Sequence, residues 1–580
     1  MRKSAQTLSI FAISSWALSA ATDCGAVHPK APSTPSAASA PCLSIVGWND
    51  THGQIVPEDV IVDLNRVPAG GVIALAEQLS QIRASGDIVM PLEAGDLFTG
   101  PIETVKAEGA PIVEAYNAMG VAAVAIGNHD FDFGPVGFSR ATAPEDVGDN
   151  AGPDGPRGVL LERMHQAKFP FLSANITYRG GGEVHWPGHK THVILERGPY
   201  RVGVVGYTTI STPWTTLRPN VRDLDFDTYA VPRVAASIRA LREAGAYPVV
   251  LLAHGSIEGD LPQELNPTID PEGEKRVGEM ATLLSKLGDA KPDLVIAGHR
   301  HGWMLGKVMG VPMVSSDQHG AGVHRIRYCM KDGAKLPVFA GIERRVSFAA
   351  GEPPSPLATE VRALMEPWRA AVRSESDRVV TMLATRCEPH GQRGTAFGEQ
   401  MARAIAMRVN DAAPPPAGVP VVGLTNAGAL RVGLAAGPVR YSDLFLANPF
   451  ENMIAACETT VAGIKQMVRN GITRNFMLSR LPFAISGARA HIGRGMRSWE
   501  LIDVTIGEVI YPANSNEGND NPVWLALPDF VLTGGDGLMS GVKCKSTKVS
   551  STRVRDALGD ILAKERGGCE GPAPSIRIDE

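Results

Sequence analysis

The sequence predicts an α/β fold: a large layered α/β domain followed by a smaller α/β domain. Three observations carry that expectation. From Cys42 to about Val346, short apolar runs of strand length alternate with helical segments. The alternation stops at a Pro-rich joint, Gly351-Glu-Pro-Pro-Ser-Pro356, and restarts beyond it. At 580 residues, the chain is also too long for one ordinary core.

Taken in order, residues 1–21 have the form of a secretory leader. Arg2 and Lys3 precede an apolar run, Leu8 to Leu18, and Ser19-Ala20-Ala21 offers small residues for cleavage. The run is short of the ~20 residues a spanning helix needs, so no integral membrane segment is expected after leader removal. Asp23 and Ala21 argue against lipid attachment at Cys24. A periplasmic or secreted protein is expected. Residues 22–41, rich in Pro, Ala and Ser, read as a flexible tether.

The first domain is placed at 42–350. Gly71 to Ile82 and Pro111 to Met119 read as helices, 139–158 as a surface insertion, and 172–206 as strand-rich. Residues 351–377 form the joint, with a helix interrupted at Pro367 by an expected kink. The second domain is placed at 378–566, and 567–580 read as a loose tail. The chain has seven cysteines, none with metal-ligand spacing. Cys544 and Cys569 could pair, though sequence leaves connectivity open. A net charge of −5 gives no sign of a surface for a nucleic-acid polymer.

The chemistry concentrates where apolar runs end. Ser44 to Trp48 leads to Asn49-Asp50-Thr51-His52-Gly53, and Ile88 to Leu92 leads to Glu93-Ala94-Gly95-Asp96. Val121 to Ile126 leads to Gly127-Asn128-His129-Asp130-Phe131-Asp132. Pro248 to Ala253 leads to His254-Gly255, and Asp293 to Ala297 to Gly298-His299-Arg300-His301. Five apolar runs, in order along the chain, each deliver Asp, Asn or His to a Gly-rich turn. One such turn would only close a strand; five imply a shared site.

Asp50, His52, Asp96, Asn128, His254, His299 and His301 offer carboxylate, amide and imidazole donors and no thiolate. Such a set suits Zn, Mn, Fe or Co. Seven donors exceed what one four-coordinate ion takes, and suit two ions sharing a carboxylate, as in phosphoryl transfer. Spacing of two in Asp50-x-His52 and His299-x-His301 puts each pair on one face if the strand continues, which fits two ligands or a solvated pair. His129 beside Asn128 cannot easily serve the same ion; it is expected to face substrate, with Asp132 accepting its N–H.

These blocks resemble the calcineurin-like metallophosphoesterases, and more closely their exported 5′-nucleotidase / UDP-sugar hydrolase branch. The resemblance implies a four-layer sandwich in the first domain, with Asp50, His52 and His301 on one divalent ion. It implies Asn128, His254 and His299 on the other, Asp96 bridging, and His129–Asp132 as the catalytic pair. In the second domain Thr425-Asn-Ala-Gly-Ala-Leu-Arg431, Asn448-Pro-Phe-Glu-Asn452 and Asp529-Phe530…Gly-Gly-Asp536-Gly537 resemble the branch's substrate motifs. They imply phosphate on Arg431, a base between Phe450 and Phe530, Asn452 on the base and Asp536 on the ribose. Arg386 and Arg393 stand as further phosphate ligands. Glu451, where the motif has Gly, places a negative charge beside the base. Singly, each Phe could be core and the Gly-rich turn a plain turn.

The implied activity is hydrolysis of a nucleoside phosphate ester by water activated at two metal ions. Closure of the two half-sites about 351–377 is expected. A 2′,3′-cyclic nucleotide phosphodiesterase, a nucleotide-sugar diphosphatase and a non-catalytic periplasmic binding protein are the alternatives. Oligomeric state is not legible.

Overall fold

The computed structural model describes residues 41–62, 65–137, 155–256, 278–331, 333–349, 353–389, 396–475, 483–495, 499–564, 569 and 575–579. The leader, most of the tether with Cys24, most of the 139–158 insertion, and Arg393 lie outside them.

Two sheets build the first half. One has seven strands in the order Val338–Val346, Gly322–Cys329, Leu43–Trp48, Ile88–Glu93, Ala123–Ala125, Phe171–Leu172 and His189–Lys190. The other has six: Met304–Val308, Val311–Ser315, Leu294–Ala297, Val249–His254, Tyr200–Thr208 and His192–Arg197. Their central members pair in parallel, Leu43–Trp48 with Ile88–Glu93 and Val249–His254 with Leu294–Ala297. Strands covered on both faces read as unbroken apolar runs, which is why these segments do not alternate.

Ile45, Leu92 and Ala125 of one sheet meet Val204, Leu252 and Ile296 of the other in the sandwich interior. The outer face of the second sheet is covered by helices Ala230–Glu243 and Glu279–Lys286. That of the first is covered by Gly71–Arg83 and Ala110–Met119, close to the expected helices. Helix, sheet, sheet and helix make the four layers.

The joint is a single helix, Pro356–Ser376, capped by the Ser355 hydroxyl on the Ala358 N–H (3.2 Å) and running on through Pro367. Ala358, Val361 and Met365 recur at helical spacing and are buried. They belong to an apolar cluster that includes Leu75 and Ile112 of the first half and Phe397 and Leu444 of the second. Trp368 donates to Glu114 (2.7 Å), tying the helix to the first half.

The second half holds a five-stranded sheet, in the order Phe483–Ser486, Val421–Asn426, Pro522–Pro528, Met453–Thr460 and Ser546–Arg553. A four-stranded sheet runs Val509–Pro512, Trp499–Ile506, Ala488–Arg494 and Ile576–Asp579. The segment read as a loose tail thus supplies an edge strand, parallel to Ala488–Arg494, with Ile576 buried.

Among the described residues three disulfides form: Cys42–Cys329, Cys387–Cys569 and Cys457–Cys544. A Cys544–Cys569 bond is therefore excluded. The Lys545 N–H donates to the Glu458 carbonyl (2.7 Å), which brings Cys544, just ahead of strand Ser546–Arg553, alongside Cys457. Cross-links of this kind belong to an oxidising compartment. Among the described residues no helix is long and apolar enough to cross a membrane.

Candidate active site

All five polar turns leave the carboxyl ends of the central strands, so the two sheets present them along one edge. There they form two groups, Asp50/His52/His301 and Asp96/His254/His299, each with its donor atoms within 4.8 Å of one another. Asp96 connects them: its Oδ2 lies 3.1 Å from His254 Nε2 and 3.9 Å from His52 Nε2. Asn128 Oδ1 lies 3.0 Å from His254 Nε2. All seven expected metal donors are thereby brought together.

Strand periodicity is not what converges them. The strands end at Trp48 and Ala297, before the His-containing pairs. Asp50 and His52 sit at φ 52° and 45°, and His299 at 76°. His299 and His301 accordingly join different groups, not one shared face. Asp96 is also left-handed (φ 63°). Non-glycine residues rarely adopt such angles, and strain of this kind collects where a turn must aim a functional side chain. Glycine permits the close packing between turns: a Cβ on Gly127 would run into the Asp96 carboxylate.

The donor chemistry fits divalent ions. His254 Nδ1 donates to the Ala94 carbonyl (2.8 Å), which leaves the Nε2 lone pair facing Asn128 Oδ1 and Asp96 Oδ2. Three acceptors pointed at one another require a cation or a proton between them. Burial opposes a charge on His254, but the Asp96 carboxylate outweighs it and pushes the imidazole up to about 10. Burial holds His52 and His301 well below the usual imidazole range and His299 at about 3, so these rings are neutral, the state in which imidazole ligates a metal; His52 Nε2 and His301 Nε2 face each other at 3.0 Å.

His129–Phe131 is a single helical turn, which sets His129 and Asp132 side by side. His129 Nδ1 lies 2.6 Å from Asp132 Oδ2. Thr99 also donates to Oδ2 (3.2 Å) and Thr216 to Oδ1 (2.8 Å). Burial would lower the His129 pKa; Asp132 and Asp96 overcome it and raise it. Arg431 Nη2 is 2.7 Å from His129 Nε2. A guanidinium only donates, so Nε2 is the acceptor and the ring proton sits on Nδ1.

One cavity opens onto these groups. It is lined by Asp96, Asn128, His129, Asp132, His299 and His301 from the first half, and by Arg431, Phe450, Glu451, Asn452, Phe530 and Asp536 from the second. Phe450 stands 5.4 Å from the His129 ring, with the Arg431 guanidinium 5.0 Å from its centroid.

Residues 377–499 match the family model for the 5′-nucleotidase C-terminal domain. The crystal structure of a 5′-nucleotidase precursor from Thermus thermophilus superimposes with a TM-score of 0.70, at 17% identity, over 93% of this chain and 99% of that one. The chain has the 5′-nucleotidase fold. A probable 5′-nucleotidase of Treponema pallidum (strain Nichols) is 23% identical over 486 residues, 74% of this chain and 75% of that protein. The 5′-nucleotidase of Bos taurus is 29% identical over 222 residues, 38% of this chain. The chain spans about a third of the length of the first vertebrate relatives it matches, 34% for the bovine protein.

Within this 5′-nucleotidase fold, the substrate motifs read from sequence reach the cavity, with two differences. Arg386 is exposed and paired with Glu388 (2.7 Å), outside the cavity lining. Glu451 does not leave a bare negative charge beside Phe450: it is buried and paired with both Arg553 and Arg555. Asp536 accepts from Asn426 Nδ2 (2.7 Å) and is itself left-handed (φ 51°).

Several supporting residues escaped the sequence reading. Asp130 accepts the Leu97 and Gly127 N–H groups, each at 2.7 Å, and so fastens the second turn to the third. Asn49 donates to Asp50 (2.6 Å), and the Thr215 carbonyl accepts from Asn128 Nδ2 (3.2 Å). The His319 ring, paired with Glu58, lies 5.9 Å from the His52 ring, and the His319 backbone N–H donates to the Asp50 carbonyl (2.7 Å). His319 carried a signal: Val311–Ser315 leads to Ser316-Asp317-Gln318-His319-Gly320, the same polar strand end found five times before. Thr99 and Thr216 carried none.

Proposed function

We propose that this chain is an exported 5′-nucleotidase that hydrolyses nucleoside phosphate esters. One observation carries the reading: a single cavity joins the two His/carboxylate groups and the His129–Asp132 pair to Arg431 and to two half-buried aromatic rings, Phe450 and Phe530. Each part has a matching task. A guanidinium grips phosphate by paired hydrogen bonds. Aromatic faces hold a base at about 1–3 kcal/mol each. The Asp536 carboxylate can accept from vicinal hydroxyls.

Asp50, His52 and His301 would hold one divalent ion, and Asn128, His254 and His299 the other, with Asp96 between them. When bound, such a pair supplies Lewis acidity to the phosphate oxygens and to water at neutral pH. The protein's own residues do the rest. Arg431 now occupies His129 Nε2. A substrate phosphate drawing Arg431 to itself releases that nitrogen. Asp132 keeps the Nδ1 proton in place and favours the imidazolium, so Nε2 is the atom that can stabilise charge on phosphate or protonate the departing nucleoside oxygen.

The six paired cysteines support export with the leader removed at about residue 21. The test is a substrate panel. Metal-free protein is given Mn, Co or Zn and offered AMP, a 2′,3′-cyclic nucleotide and UDP-glucose. Phosphate release from AMP exceeding both others is expected; turnover of the cyclic nucleotide or UDP-glucose alone overturns the assignment. Less than one bound ion per chain together with no turnover would instead indicate a binding protein.

A further inference from the structure

The cavity's aromatic wall stands on a buried charged network that the mechanism does not use. Arg555, in the first turn of helix Val554–Lys564, is fully buried. Its Nη1 donates to the Asn448 carbonyl (3.0 Å) and the Phe450 carbonyl (3.2 Å), and its Nη2 to the Glu451 carboxylate. The guanidinium lies 3.4 Å from the centroid of Phe445, which fixes its plane. Arg553 holds the other Glu451 oxygen.

Three features of the loop, the Asn448 and Phe450 carbonyls and the Glu451 side chain, are therefore gripped by one side chain. The loop is fixed from its other side as well: Asn448 donates to the Ala429 carbonyl (2.8 Å), and the Arg431 N–H donates to that of Ala447 (2.9 Å). The facing wall is tied to strand Met453–Thr460, into which this loop runs. Asp529 Oδ1 accepts from the Met453 N–H (3.1 Å) and from that of Phe530 (2.8 Å).

We propose that Arg555 and Glu451 are positioning residues: they set the Phe450 face at the depth a planar base requires, and so make the site selective for nucleosides over simple phosphate esters. The proposal rests on the nucleotide reading above. Both groups are needed. Without Glu451 the buried guanidinium would lose its carboxylate, and without Arg555 the two loop carbonyls would lose their donor; either change would draw water or shift the loop. Lysine cannot replace Arg555, because a single ammonium cannot reach two carbonyls and a carboxylate in the fixed fork of a guanidinium.

The test uses the full chain and the variant Arg555→Lys. Binding of adenosine, guanosine, uridine and cytidine is measured by calorimetry. In parallel, kcat/KM for a nucleoside 5′-monophosphate is divided by that for phenyl phosphate, which lacks base and sugar. Nucleoside Kd rising at least fivefold, with the kcat/KM ratio falling by at least that factor, is expected. A smaller rise, or equal losses on both substrates, overturns the proposal and leaves Arg555 a purely structural residue. Should Arg555→Lys fail to fold, Glu451→Gln, which keeps the volume and both arginines, decides by the same ratio. A wild-type chain that binds none of the four nucleosides overturns the nucleotide reading itself, and the proposal with it.

Discussion

Replacing Asp132 by Asn tests the division of labour in the site most directly. The carboxylate accepts a hydrogen bond from His129 Nδ1 (2.6 Å) and is otherwise held by the Thr99 and Thr216 hydroxyls. Asn keeps one oxygen for His129, and the Thr216 hydroxyl can turn to accept from the new amide. The ring stays where it is and only the charge goes. A hydrogen bond to a charged group contributes about 1.5–3 kcal/mol, against about 1 kcal/mol for a neutral one. The lost attraction for a forming imidazolium adds to that, up to about 4 kcal/mol at an effective dielectric of 20. The two overlap, so about 3–4 kcal/mol is the expected loss, or roughly 100- to 1,000-fold in kcat. KM should move little, because phosphate and base are held by other residues. Steady-state phosphate release from a nucleoside 5′-monophosphate at saturating divalent ion measures it, with metal content determined for both proteins. A kcat within fivefold of wild type at unchanged metal content would refute the role given to Asp132.

Asp96→Asn should lower bound divalent ion from two per chain to one or fewer by elemental analysis, since Asp96 is the carboxylate common to both groups. His324 is buried against Trp303, and burial, with Arg344 adding, holds it at about 3 rather than the ordinary 6.5. The unfolded chain therefore binds a proton that the folded chain refuses, and stability present above pH 6.5 is lost as pH falls toward 3, by about 3–5 kcal/mol in all. His324→Gln should flatten the urea-unfolding profile across that interval; an unchanged slope would count against it. Removing the Cys387–Cys569 bond with paired serines should cost about 2–5 kcal/mol in urea unfolding and expose the Ile576–Asp579 edge to proteolysis. A loss below about 1 kcal/mol would show that the tail holds without it.

Much of the site was legible because one rule produced it. A strand covered on both faces must be apolar, so a polar residue can appear only where it ends, and five ends carrying Asp, Asn or His point to one place. The layers and helices followed from the same periodicity. The rule failed where it was stretched past the strand. Spacing of two in Asp50-x-His52 and His299-x-His301 suggests one strand face, whereas left-handed turns aim Asp50, His52 and His299, and backbone angle is not written in residue identity except at glycine. Glu451 was misjudged for a related reason: its partners Arg553 and Arg555 lie about a hundred residues away, and a charge can be weighed only with its partner in view. Cysteine pairing, left open by the sequence, is out of reach for the same reason, since the bonds join residues 87 to 287 apart.

Sequence alone determined which residue types stand at the strand ends, hence the hard and borderline donor set, the neighbouring His129 and Asp132, and the two-part α/β architecture. Those follow from local pattern, from burial and spacing within a few residues. Only the tertiary structure decided that left-handed turns aim the donors into the two groups the resemblance implies, that Arg431 reaches across to His129, and that Arg555 grips the loop bearing Phe450. Each of these joins segments tens to hundreds of residues apart, and the energy that fixes them exists only once both sheets, the connecting helix and the second half have packed.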